Sequence, residues 1–223
     1  MSRLLISLSL VTALTSSVFA DRIAAPRFSQ PPDTSVSEYP IYIAPVVDRT
    51  KVRAKLASNR AANLARFRAY QAKGVFPSNV YANTKLNVWL DEDGHYCAAA
   101  TIIQMSGNDE LVAQTAEDNN FIKLGDVTQG ALMDWILTSG LTQAEIAAIQ
   151  EPFMPVGGRM RQPMPIEAPP PVIITKRTTE DQRLGKKYSQ VEAQIVKSRE
   201  KSLDLATDRL MKSPELAAQL LAG

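Results

Sequence analysis

The only histidine and the only cysteine of this 223-residue chain, His95 and Cys97, stand two positions apart. On an extended segment both side chains would leave the same face, and an imidazole beside a thiol is the minimal set for thiolate chemistry. A nucleophile and base this close on one strand leave no approach path for a substrate, and no nearby residue is placed to orient the imidazole. The plainer reading makes His95 a turn-flanking residue and Cys97 a buried small apolar side chain.

Just upstream, Asp91-Glu92-Asp93-Gly94 carries the carboxylates and glycine of part of a calcium loop. An EF-hand register with Gly94 as its sixth residue puts Trp89 and Ala100 where oxygen ligands belong, so no metal is expected. A hydrolase built on carboxylates would draw on Asp91, Asp93 and Asp126, and that or the His95/Cys97 pair is the enzyme alternative. The usual signatures of a nucleophile elbow, a phosphate loop and a dinucleotide fingerprint are missing from the sequence. No catalytic residue is therefore assigned and no cofactor is expected.

Charge is segregated along the chain. Arg49 to Lys73 holds eight basic residues and no acid, whereas Lys85 to Glu151 holds eleven acids against two lysines. Clustered cations of this kind attract polyanions. Lys51, Lys55, Arg66 and Lys73 are accordingly the candidate contacts for an anionic surface. Alternatively, the basic helix covers the acidic segment of its own domain. Arg60 falls inside the apolar sector of the helical wheel, so it is predicted to pair with an acid from residues 85–151. DNA is not an expected partner. A helix-turn-helix placed around Ser139-Gly140 would have only Glu145 and Glu151 as charged residues on its second helix, which phosphates would repel.

These residues need elements to hold them. Residues 1–20 read as a secretory signal peptide, with Arg3, an apolar stretch from Leu4 to Leu14, and cleavage between Ala20 and Asp21. The mature chain is then expected in the periplasm or outside the cell, with no transmembrane segment. Its net charge is near zero, because removing Arg3 leaves 24 basic residues against 23 acidic ones. One cysteine cannot form an intrachain disulfide, so the fold must rest on packing. Proline divides the remainder, with five of 14 between Pro26 and Pro45 and seven between Pro152 and Pro171. Segments 21–47 and 152–177 are read as extended, the second as a stiff Pro-rich linker.

Between them, residues 48–151 are read as a compact α-rich domain. Lys51 to Lys73 is predicted helical, with Val52, Leu56, Leu64, Phe67 and Tyr70 on one side and Gly74 as its stop. A β-hairpin is expected near 85–97, turning at Asp93-Gly94. Thr142 and Glu145 form a capping box for a helix from about 143 to 150, paired with the preceding helix in an αα-hairpin. Residues 178–223 are read as a long amphipathic helix followed by a short one. The apolar stripe of 178–212 must bury either on the domain or on another chain. The fold class is thus mainly α with one β-hairpin. The expected role is a non-enzymatic interaction or structural protein.

Overall fold

A computed structural model describes residues 44–156 and 176–223. The expected signal peptide with its Ala20/Asp21 junction, the extended segment as far as residue 43, and spacer residues 157–175 lie outside the described residues. The described residues belong to one compact unit. Mainly α is the observed class: eight α-helices and one 3₁₀ turn occur among the described residues.

Local chemistry accounts for the helix ends. Helix α1 (Arg49–Lys73) starts where the Asp48 carboxylate accepts the N–H groups of Thr50 and Lys51, and stops at Gly74 in the left-handed conformation. Its buried positions, Val52, Leu56, Arg60, Asn63, Phe67 and Tyr70, recur every three or four residues and so form one face. Helix α2 (Ala98–Met105) is capped by the Cys97 sulfur and α3 (Asp109–Asn119) follows it. After the 3₁₀ turn Leu124–Asp126 come α4 (Ala131–Thr138) and α5 (Gln143–Ile149). The α5 capping box is present with both reciprocal bonds, the Glu145 N–H donating to the Thr142 hydroxyl and the Thr142 N–H to the Glu145 carboxylate.

The expected β-hairpin at 85–97 is not formed, and no strand occurs among the described residues. Only single bridges remain: Leu90 with Tyr96, Leu86 with Phe153, and Asn79 with Pro155. The turn at Gly94 does close, with Asp91 N–H donating to His95 O and Cys97 N–H to Trp89 O. A ladder fails on both sides because the backbone groups are satisfied elsewhere. Cys97 turns at once into α2. On the other arm Trp89 N–H donates to Asn120 O, the Asn120 amide brackets the Leu90 backbone, and Leu86 pairs with Phe153. The alternation from Lys85 to Asp91 therefore marks a half-buried extended segment lying on helices.

The C-terminal stripe docks on the chain's own core. Leu184, Tyr188, Val191 and Ile195 join the main apolar cluster with Phe67, Trp89, Ile103 and Ile146. Leu203, Ala206 and Leu210 form a second cluster with Val52, Leu56 and Ala217. The single long helix expected over this stretch is instead two, α6 (Arg177–Lys197) and α7 (Arg199–Leu210), followed by α8 (Pro214–Ala222). The break at Ser198 has a cause in α1: an Arg60 N–H donates to Ile195 O at 2.7 Å, the carbonyl that an unbroken helix would offer to the Arg199 N–H.

Candidate functional site

The Asp91 turn is where the titratable groups singled out from the sequence converge. Asp91 is buried, and its Oδ1 accepts the N–H of Asp93 at 3.0 Å and of His95 at 2.8 Å. Its Oδ2 accepts the Ser78 N–H at 2.9 Å and lies 3.2 Å from His95 Nδ1. With Nδ1 turned to the carboxylate, the half-exposed His95 leaves its outer ring nitrogen free of that contact. It borders a cleft of about 490 Å³ shared with Tyr70, Lys73, Thr101 and Gln104.

Asp91, Asp93 and His95 bring one ligand atom each within 4.8 Å of one another. A cation would nonetheless compete with donors already engaging both Asp91 oxygens, three of them backbone amides that shape the turn. The carboxylate acts as the turn's internal acceptor, a role that Asp performs readily in tight turns. Asp126 lines a different cleft, together with Asp118 and Phe121, so the three carboxylates of the hydrolase alternative do not share a site.

Cys97 does not pair with His95. It is 1 % exposed, and its sulfur accepts the Ala100 N–H at 3.4 Å as the cap of α2. Burial pushes the thiol up to about 12, against a smaller lowering by the backbone N–H groups of the helix end. At pH 8 the folded protein is therefore expected to be inert to a thiol reagent such as dithionitrobenzoate, and to react with one equivalent once unfolded. Rapid modification of the native state would show that Cys97 is accessible as thiolate.

Of the candidate anionic-surface contacts, Lys51 and Lys73 are exposed and Lys55 is half-buried. Arg66 is engaged within the fold, donating to Met105 O at 3.0 Å and to Asn63 Oδ1 at 2.7 Å. The other arginines of α1 are taken up by ion pairs that join distant parts of the chain. Arg49 meets Asp208 at 2.6 Å, Arg53 meets Glu200 and Asp204 at 2.8 Å each, and Arg68 meets Glu192 at 2.7 Å. The basic helix thus faces acids of α6 and α7. Among the described ion pairs of α1, that of Arg60 reaches an acid of residues 85–151.

That bond is the most buried ionic contact of the fold. Arg60 and Glu145 side chains are 4 % and 11 % exposed, and their contact is bidentate at 2.6 and 2.8 Å. Arg60 also donates to Gly140 O and Ile195 O. Glu145 accepts the hydroxyls of Ser198 at 3.0 Å and Ser202 at 2.8 Å, besides its own capping bonds. Three separate stretches of chain meet at this pair. A similar clamp, which the sequence pattern did not disclose, holds the start of α6: Arg183 bonds buried Glu180 and Glu151, while Arg177 bonds Ser78 and the carbonyls of Phe76 and Pro77.

Burial alone would raise the Glu145 carboxyl, but the bonds from Arg60, the Thr142 N–H and Ser202 outweigh it and hold the group below its ordinary value. A carboxyl lowered on folding stabilises the native state above its unfolded pKa, and that contribution is lost as pH falls through the folded pKa. Acid unfolding of the wild type should therefore include a component, setting in within the ordinary glutamate range and continuing below it, that is absent from Glu145→Gln in a pH-dependent denaturant series. Parallel pH profiles for the two proteins would contradict the assignment.

Among the described residues no helix is long and apolar enough to cross a membrane. Compared with family models, with curated proteins and with solved structures, the chain matches none of them.

Proposed function

We propose that the protein is an exported, non-enzymatic interaction protein of the periplasm or extracellular space, and that its binding surface is acidic. The observation carrying this reading is the fate of the segregated charge. The α1 arginines are engaged largely by α6 and α7, so the acids they were expected to cover stay uncovered. From Glu92 to Asp134, eight carboxylates are exposed, and none of the eight forms a salt bridge among the described residues. Asp118 and Asp126 edge one cleft of about 730 Å³ whose lining also includes Lys123, Phe121, Leu132 and several side-chain amides. A surface of this kind suits a protein segment bearing lysine or arginine, with electrostatic steering and strong dependence on ionic strength.

The apolar stripe of 178–212, which would otherwise have been the natural seam for a second chain, is committed to the internal core. Interaction is accordingly assigned to the acidic surface. Crosslinking of the native exported protein tests this, run beside a variant with Asp109, Glu110, Glu117 and Asp118 replaced by Asn or Gln. A basic partner should be recovered with the wild type at low salt, and lost both in the variant and at raised ionic strength. Recovery unaffected by either change would reject the acidic surface. A hydrolytic activity abolished by His95→Ala would instead favour the enzyme alternative centred on the Asp91 turn.

A further inference from the structure

A second groove, which shares α4 with the acidic surface but opens between α4, α5 and α7, has two cations and one acid in its lining. It measures about 730 Å³ and runs between the end of α4, the start of α5 and one side of α7. Its apolar walls come from Ile136, Leu137, Leu141, Leu205 and Ala206. Leu205 is 54 % exposed although every other leucine of α7 is buried, so a large apolar side chain is presented at the groove rather than withdrawn from it. Grooves of this volume commonly hold small molecules.

Cations stand at one end, where Arg209 and Lys212 contribute to the lining. Arg209 is held by neutral acceptors, Gln143 Oε1 at 2.9 Å and Met133 Sδ at 3.6 Å, which position the guanidinium without cancelling its charge. Asp208, which also lines this end, has its charge engaged by Arg49 at 2.6 Å. Apart from Leu141 and Thr142 in the α4–α5 turn, the walls are mainly helical, with main-chain groups largely spent on intrahelical hydrogen bonds. A peptide strand laid here would bury its own N–H and C=O groups without partners, whereas a methylene chain has none to satisfy. Apolar walls, one cationic end and no free backbone ladder together select an acyl chain ending in an anion.

We propose that this groove binds a free anionic amphiphile of the fatty-acid class, with its chain along Leu137, Leu141 and Leu205 and its carboxylate at Arg209 and Lys212. The site is independent of the acidic surface and stands or falls separately from it. Calorimetric titration of the full mature chain with dodecanoate, below its micellar concentration, tests the assignment. Dodecyltrimethylammonium serves as the cationic counterpart of equal chain length. The expected result is saturable one-to-one binding of dodecanoate, with at least tenfold preference over the cation. Leu205→Glu, which places a carboxylate among the walls, and Arg209→Gln should each weaken dodecanoate about tenfold, equivalent to about 1.4 kcal/mol. Lys212→Glu is the substitute if Arg209→Gln lowers thermal stability. The proposal is overturned by absence of saturable binding, by equal affinity for the two amphiphiles, by indifference to these substitutions, or by an acidic apolar peptide binding where dodecanoate does not.

Discussion

Glu145→Ala is expected to cost the folded state about 3–5 kcal/mol, a large part of the stability of a domain this size. The loss arises because Arg60, 4 % exposed, would keep its charge in the interior with only the carbonyls of Gly140 and Ile195 for partners. The reciprocal half of the α5 capping box, the Thr142 N–H bond to the Glu145 carboxylate, would be lost in the same substitution, while the Thr142 hydroxyl would still accept the N–H of residue 145. Ser198 and Ser202 would also lose their shared acceptor, loosening the junction between α6 and α7. Urea unfolding measures the effect directly. The pair Arg60→Met with Glu145→Leu, which removes both charges while keeping side-chain volume, should recover part of the loss, and with the two single variants Arg60→Met and Glu145→Leu it forms a double-mutant cycle. A loss below about 1 kcal/mol for Glu145→Ala would mean that water reaches the pair and that burial does not set its strength.

Gly140→Ala should be comparably damaging although it adds one methyl group. The residue has φ +75°, and a Cβ there would stand 2.0 Å from Leu56 O and 2.7 Å from Arg60 N. Both are backbone atoms of α1 and cannot rotate away. Left-handed strain of about 1–2 kcal/mol and overpacking of about 1–3 kcal/mol combine, so a loss on the order of 4 kcal/mol or failure to accumulate folded protein is expected. The close approach matters because α1 grips three successive carbonyls at the end of α4. Asn59 donates to Thr138 O at 2.8 Å, Arg60 to Gly140 O at 3.1 Å, and Asn63 to Ser139 O at 2.9 Å. Thermal unfolding of the alanine variant checks it, and wild-type stability would refute the contact. The same packing disposes of the helix-turn-helix reading, since the turn between α4 and α5 is buried against α1 and lies in the core.

The two substitutions probe one junction seen from its two sides, and the sequence disclosed its parts unequally. Arg60 was legible as an inward-facing cation because helical phase is a local property. Glu145 was legible as a capping residue because the Thr142 to Glu145 spacing is local too. That one carboxylate performs both tasks, and also receives Ser198 and Ser202 from more than fifty residues away, is not encoded in any short pattern. The hairpin near 85–97 failed for a related reason. Alternation and Asp-Gly describe the two arms and the turn, whereas pairing depends on which neighbours reach the backbone first, and Asn120 and Phe153 do.

The catalytic candidates follow the same division. His95 and Cys97 are neighbours in sequence, yet the start of α2 takes the thiol inside while the Asp91 carboxylate keeps the imidazole at the surface. Helix starts and stops, the apolar faces and the unequal charge of the two segments were set by residues within a few positions of one another, because caps, periodicity and composition act locally. The pairing of charges was settled only when the chain closed on itself. Coulombic partners are chosen by distance in space, and docking α6 and α7 on α1 delivered Glu192, Glu200, Asp204 and Asp208 to its arginines while leaving the acids from Glu92 to Asp134 on the outside.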